Sequence, residues 1–160
     1  MGKVLSAFEN GFPGAIARSV DDIVIAMANR SASPIEFGMP VALSADRLGI
    51  EPFDPENHIA QDFVGVTVRA PAKTPDVYGA ETASYAPGDM VDILVRGRIV
   101  VQMTEGDPWP GDTLAIVRET GRFGVGVGSE TYLYLDHARV TNRMDSNNMV
   151  EVILLSREVN

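Results

Sequence analysis

Apolar residues in this chain fall into short runs separated by glycine, proline, asparagine and aspartate. Residues 63–69 alternate with the period of two typical of a half-buried β-strand, and residues 23–28 form a continuous apolar run of strand length. Further runs of this kind lie at residues 35–43, 90–95, 98–103, 113–117, 122–127, 132–135, 139–141 and 149–155. Turn signals recur about every 8–12 residues without an amphipathic helix, which predicts an all-β fold of about nine or ten short strands, either a β-barrel or a jelly-roll-like sandwich.

One turn-and-strand pattern occurs twice. Pro87-Gly88-Asp89 and Pro110-Gly111-Asp112 each precede a β-branched run, a basic residue and a closing glycine. Proline fixes φ at the first central position of a turn, glycine accepts a positive φ at the second, and aspartate bonds to nearby backbone. Each copy therefore predicts a turn, a strand and a second turn, and residues 98–103 are expected to return as a hairpin after Gly97.

The first 18 residues differ from the rest. Glycine and proline prevent a helix that would bury Phe8, Phe12 and Ile16, so residues 1–18 are predicted to be an extended N-terminal arm, and residues 19–160 a single β-domain. An apolar arm of this kind either packs on a neighbouring subunit or lies over its own core. The first alternative is favoured, with Phe8, Phe12, Ile16 and Arg18 as the first candidate contacts.

Two further places are candidates for contact with a partner. Residues 70–87 form the longest stretch without periodicity, which includes Tyr78 and Tyr85, and long loops in compact domains are often functional. Trp109 lies between two prolines, where a lone tryptophan either caps the end of a barrel or anchors a partner protein.

Composition excludes several classes of function. The 160 residues include no cysteine, so disulfides, thiolate zinc sites and thiol catalysis are excluded. The net charge is −9 and the basic residues are scattered, which argues against direct binding of nucleic acid or anionic lipid. No apolar run reaches the roughly 18 residues of a membrane span. His58 and His137 have no ligand-spaced companions and are expected at the surface, so no metal, cofactor or catalytic residue is predicted.

The glycine-rich segment at residues 121–128 has two readings. It continues into another strand rather than a helix, so it lacks the context of a nucleotide-binding loop, and alternate glycines favour a flat sheet face that another backbone approaches closely. The segment also resembles the C-terminal motif of trimeric dUTPases, for which Asp76-Val77-Tyr78-Gly79 offers the nearest acidic hairpin. A β-barrel nucleotide hydrolase therefore remains the enzymatic alternative.

Taken in order along the chain, several stretches resemble the structural cement, or capsid decoration, proteins of tailed bacteriophages. They are Gly14-Ala15-Ile16-Ala17, Ile35-Glu36-Phe37-Gly38, Phe63-Val64-Gly65-Val66-Thr67, residues 85–101, Pro110-Gly111-Asp112 and Thr120-Gly121-Arg122-Phe123. The resemblance implies a β-barrel or jelly-roll body on the outer capsid surface, bridging neighbouring major capsid proteins and stabilising the shell.

The resemblance also implies partners. They are the major capsid protein and a second copy of the chain, with a homodimer favoured over a trimer. The protein is then expected to be made in the host cytoplasm and to reside on the virion. A tail or baseplate β-module is the alternative among virion proteins.

Overall fold

The structure is a computed structural model that describes residues 10–70 and 84–155. Strands dominate it: β1 (Ile16–Ala28), β2 (Ile35–Glu36), β3 (Pro40–Leu43), β4 (Ile50–Pro52), β5 (Phe63–Thr67), β6 (Ser84–Tyr85), β7 (Met90–Gln102), β8 (Thr113–Val117), β9 (Phe123–Gly124), β10 (Tyr132–Val140) and β11 (Met149–Leu154). The one helical turn in this part of the chain is a 3-10 turn at Ala60–Asp62. No helix in it is long and apolar enough to cross a membrane.

Nine strands form one curled antiparallel sheet. Its order is β4-β3-β5-β7-β11-β10-β8-β9, and β1 pairs with β7 beside this path. β2 and β6 form a separate two-stranded sheet. The prediction of an all-β, barrel-like fold is confirmed, as a half-barrel.

β7 organises the sheet. It pairs with β1 along most of its 13 residues, and on its other side with β5 in its first half and β11 in its second. The hairpin predicted after Gly97 is wrong, because β7 continues through that glycine. Gly97 uses its φ of +127° for a bulge instead: Arg18 lies opposite Arg98 and Ile23 opposite Arg96, so residues 19–22 of β1 face Gly97 alone.

The two faces of β7 bury different cores. Val91 and Ile93 join Ile35, Phe37 and Tyr85 in the smaller cluster. Residues of β7 also contribute to the larger cluster: Leu94, Ile99 and Val101. Because one strand supplies both clusters, the two cores are held in a fixed relation by a single backbone.

Both Pro-Gly-Asp turns form as predicted. Gly88 has a φ of +85° and Gly111 a φ of +98°. The Ala86 N–H donates to Asp89 Oδ2 at 2.9 Å, and the Trp109 N–H donates to Asp112 Oδ2 at 2.8 Å. The sequence repeat is therefore also a repeat of the side-chain hydrogen bond.

The curl brings the end of β1 to the edge strand β4. Asn29 and Ile50 form a parallel bridge, and the Arg30 N–H donates to the Ile50 carbonyl at 2.9 Å. The expected boundary between arm and body, after Arg18, falls inside β1, since that strand begins at Ile16.

Candidate functional site

Asn10 fixes the N-terminal segment to the body of the same chain. Its backbone N–H donates to Asp145 Oδ2 at 2.7 Å, and its side-chain amide donates to the carbonyls of Arg143 and Met149 at 2.9 and 2.7 Å. Its Oδ1 accepts from Asn142 Nδ2 at 2.6 Å. All of these partners lie between β10 and the start of β11, so the segment is docked on that hairpin.

Gly14 provides a second attachment. Its N–H donates to the Val100 carbonyl and its carbonyl accepts from the Arg69 N–H, both at 2.8 Å. Its φ is +76°, and a Cβ at this position would lie 2.9 Å from backbone atoms of Gly38 and Thr67. Only glycine fits this close approach, and residues 10–15 are consequently held as one strap across the body.

Between these attachments Phe12 projects to the surface. Its side chain is 65% exposed, and the Arg69 guanidinium lies 4.9 Å from the ring centroid. The same guanidinium lies 5.7 Å from the ring of Phe37, which is buried. Arg69 therefore contacts both an exposed aromatic ring and a core ring, which favours this orientation of Phe12.

Trp109 forms a second pair of the same kind. It is 56% exposed, and the Arg143 guanidinium lies 5.3 Å from its ring centroid. Arg143 also supplies a carbonyl to Asn10. We call these two aromatic–arginine pairs, Phe12 with Arg69 and Trp109 with Arg143, the aromatic surface.

The other predicted contact residues have different positions. Ile16 begins β1 opposite Ile99 and is partly exposed. Arg18 lies in β1 opposite Arg98, but its side chain is outside the described part of the structure, as are Phe8 and Tyr78.

Tyr85 is a core residue rather than a surface contact. Its side chain is 1% exposed, its ring packs edge-on against Phe37 with centroids 5.4 Å apart, and its hydroxyl donates to the Val68 carbonyl at 2.6 Å. Burial raises the pKa of the phenol. Tyr85 is therefore removed from the predicted contacts.

Sequence reasoning missed Arg69, Arg143 and Asn10. Each acts on residues far away along the chain, and no local motif marks them. It also read residues 23–28 as an ordinary apolar strand, yet Ile23 and Val24 are exposed because β1 lies at an edge of the sheet.

The two histidines pack against other side chains and are not simple surface residues as the sequence predicts. His58 Nδ1 accepts the Asp54 N–H at 2.9 Å, so its other ring nitrogen, Nε2, carries the proton and faces Glu51 Oε1 at 2.9 Å. His137 lies against Phe63, with ring centroids 5.5 Å apart. Both therefore have structural contacts, and in residues 10–70 and 84–155 no group of three metal-ligating side chains is arranged to hold an ion.

The glycine-rich segment has a structural contact, but at Gly126 a side chain rather than another backbone makes the close approach. A Cβ at Gly126 would overlap the ring of Tyr132, whose hydroxyl donates to Glu105 Oε2 at 2.9 Å. That hydrogen bond raises the pKa of Tyr132. Asp107, Asp112 and Asp136 line a neighbouring concavity of about 560 Å³.

Comparison with known families decides the class of protein. The family model described as "Structural cement protein (E217 gp24/Pam3 gp6)" matches residues 3–155. The chain belongs to this family. The resemblance seen in the sequence is thereby confirmed, and this cement protein is a structural protein of a phage rather than a member of an enzyme class.

Solved structures agree with the fold. A chain in "The capsid of Myoviridae Phage XM1" is 15% identical to the cement protein, with a TM-score of 0.76 over 96% of each chain. "The crystal structure of head fiber gp8.5 N base in bacteriophage phi29" matches at 14% identity over 86% of this chain and 99% of that chain, with a TM-score of 0.44, too low to argue from. No match is found among curated protein sequences.

Proposed function

We propose that the protein binds the outer surface of a phage capsid, bridges neighbouring major capsid proteins and stabilises the shell. Membership of the structural cement family supports this role. The observation that carries it is the aromatic surface, where Phe12 and Trp109 are more than half exposed and each is held by an arginine. Aromatic residues and arginine are the types that most often dominate protein interfaces.

The arginines make these rings suited to binding. A ring already fixed by a cation loses less conformational freedom when a partner covers it, so more of the contact energy appears as affinity. Ile16 extends the surface along β1, and Arg18, Phe8 and Tyr78 remain proposed contacts. Repetition over a capsid lattice multiplies a modest affinity at each copy.

The proposal also covers the oligomeric state of the protein and its location on the virion. The chain forms a homodimer rather than a trimer, is made in the host cytoplasm and joins the virion at the outer shell surface. Its net charge of −9 opposes direct contact with nucleic acid and keeps decorated particles apart.

The test is co-sedimentation of the purified protein with DNA-filled capsids that lack it. We expect saturable binding at a fixed ratio to the major capsid protein, and fewer ruptured shells after a heat or osmotic challenge. The double variant Phe12→Ala/Trp109→Ala should weaken binding at least tenfold without loss of fold, whereas Val127→Ala, at a residue 93% exposed and outside the aromatic surface, should not.

Two results would contradict the proposal. Binding to tails or baseplates but to no capsid form would favour the tail-module alternative. Turnover of dUTP with magnesium by the purified chain would favour the nucleotide hydrolase.

A further inference from the structure

Within residues 10–70 and 84–155, β1 is paired with another strand on one side only. Its partner in the sheet is β7, and its other side meets no strand of the described residues until the bridge between Asn29 and Ile50, which follows its end. The Asn29 N–H donates to the Asp89 carbonyl, and antiparallel pairs alternate, so Ile25 and Met27 also face β7. The backbone N–H and C=O groups of Val24 and Ala26 therefore point away from the sheet.

This open edge is unusually apolar. Residues 23–28, Ile-Val-Ile-Ala-Met-Ala, contain no charge and no proline, and the side chains of Ile23 and Val24 are 47% and 42% exposed. Soluble proteins normally protect an edge strand with charges, proline or a bulge. Such protection is confined to Asp21, Asp22 and the bulges at residues 19–22 and between Ile23 and Val24, so Val24 to Ala28 form an uninterrupted apolar edge that another strand can cover.

The two ends of the stretch limit what can pair there. At one end, the bulge opposite Gly97 bends residues 19–22 out of line. At the other end, β4 covers the edge, because Gly49 packs against the Ala28 carbonyl and the Arg30 N–H donates to the Ile50 carbonyl. An incoming strand must leave the edge at both points.

A second β1 meets this requirement by its own shape. When two copies run antiparallel with Ile25 at the centre, Val24 of each lies opposite Ala26 of the other, and Asp22 lies opposite Ala28. The bulge of the second copy then bends away where β4 of the first begins, and the same holds with the copies exchanged. We propose that the edge of β1 between Asp22 and Ala28 is a two-fold interface with β1 of a second copy.

Charge supports this register. Asp21 of the second copy comes to the end marked by Asn29 and Arg30, and the Arg30 side chain is 48% exposed. The two Asp21 residues lie at opposite ends, roughly 27 Å apart at the rise of a β-strand, well beyond the screening length at physiological salt. The two like charges are thus kept apart, whereas Arg30 already pairs with Asp46 of its own chain at 2.7 Å and adds no free charge to the interface.

A concavity beside the edge adds to the interface. It has a volume of about 610 Å³ and is lined by Ile23 together with Val64, Val95, Arg96 and Leu155. A short strand pair alone covers less than the roughly 1,200 Å² of a stable interface, so the walls of this concavity supply the additional surface.

This interface specifies how the homodimer of the proposed function forms. Only its biological purpose rests on that function, because a dimer presents two aromatic surfaces and a bridge between capsid proteins requires two. Dimerisation can be measured on the purified protein without capsids. Sedimentation of the full chain should give a dimer, and Val24→Pro, which removes an outward N–H without touching the ladder to β7, should raise the dimer dissociation constant at least tenfold.

Cross-linking tests the register and does not depend on whether Val24→Pro folds. The chain has no cysteine, so Ile25→Cys should form a covalent dimer rapidly on mild oxidation, because residue 25 faces its own copy at the axis. Val127→Cys, at an exposed position elsewhere, should cross-link slowly.

The outcomes separate the two proposals. A monomer or trimer in solution, or a dimer in which Ile25→Cys cross-links no faster than Val127→Cys, overturns the interface even if capsids are decorated. A dimer with the expected cross-link that binds no capsid supports the interface and overturns the proposed function.

Discussion

Gly97 of β7 lies directly against the carboxylate of Asp22 in β1. A Cβ at residue 97 would overlap Asp22 Oδ1, and both carboxylate oxygens of Asp22 are buried without a hydrogen-bond partner among the described residues. The bulge between the two longest strands therefore requires glycine at position 97, because any Cβ there would collide with Asp22. It also sets where the open edge of β1 begins.

Gly97→Ala is expected to be strongly destabilising. Alanine is strained at a φ of +127° and also collides with Asp22, so the loss should be about 3 kcal/mol or more in the free energy of unfolding. Chemical denaturation measures it. Gly111→Ala is the matched control, since its φ is +98° but no atom lies within 4 Å, and strain alone should cost about 1 kcal/mol. Equal losses for the two variants would show that the contact with Asp22 is unimportant.

Asn10→Ala should release the N-terminal segment while the sheet stays folded. The change removes the three side-chain hydrogen bonds to Arg143, Met149 and Asn142. Hydrogen exchange of residues 10–15 should then accelerate, with little change in the melting temperature. Asn57→Ala, which removes an exposed hydrogen bond to Asp54, serves as the control. Unchanged exchange in residues 10–15 would mean that the backbone bond from residue 10 to Asp145 and the attachment at Gly14 hold the segment without the Asn10 side chain.

Tyr85→Phe distinguishes a core residue from a contact residue. Losing the hydroxyl leaves the partly buried Val68 carbonyl without this partner and should cost about 1–2 kcal/mol of stability. Capsid binding, measured by co-sedimentation, should be unaffected. Weakened binding with unchanged stability would restore Tyr85 to the contact surface.

The turn between β3 and β4 should resist acid. The Ser44 hydroxyl, the Leu48 N–H and the Arg30 side chain lower the pKa of Asp46 from 3.8 to about 2. Because the pKa is lower in the folded state, the stabilisation is fully present above about pH 4 and is lost as the pH falls through about 2. Carbon-13 titration of the carboxyl group measures this pKa. Ser44→Ala should raise it more than Arg30→Ala does, and the reverse order would assign the shift to the ion pair.

The sequence predicted those parts of the fold that local backbone chemistry determines. The two Pro-Gly-Asp turns form as expected, since each contains its own φ requirement and its own hydrogen bond. Gly97 was misread because a positive φ serves a turn and a bulge equally, and only the pairing with β1 decides between them. Local sequence contains no information on that partner.

The candidate site was predictable only where local sequence determines it, and not where it depends on distant partners. Phe12 was identified because glycine and proline prevent a helix that would bury it, whereas the sequence left Trp109 open between capping the barrel and anchoring a partner. Arg69 and Arg143, which hold these rings, lie 57 and 34 positions away along the chain, and nothing near them indicates the pairing. The exposure of Val24 likewise follows from the order of strands and not from its neighbours in sequence.

The pairing of β1 with β7 also has a mechanical consequence. The strap at residues 10–15 leads straight into β1, and β1 runs antiparallel beside β7. A pull on the strap along the strand axis therefore loads many backbone hydrogen bonds at once, in shear, rather than opening them one after another from an end. Tension from an expanding shell would be shared by the longest ladder in the molecule.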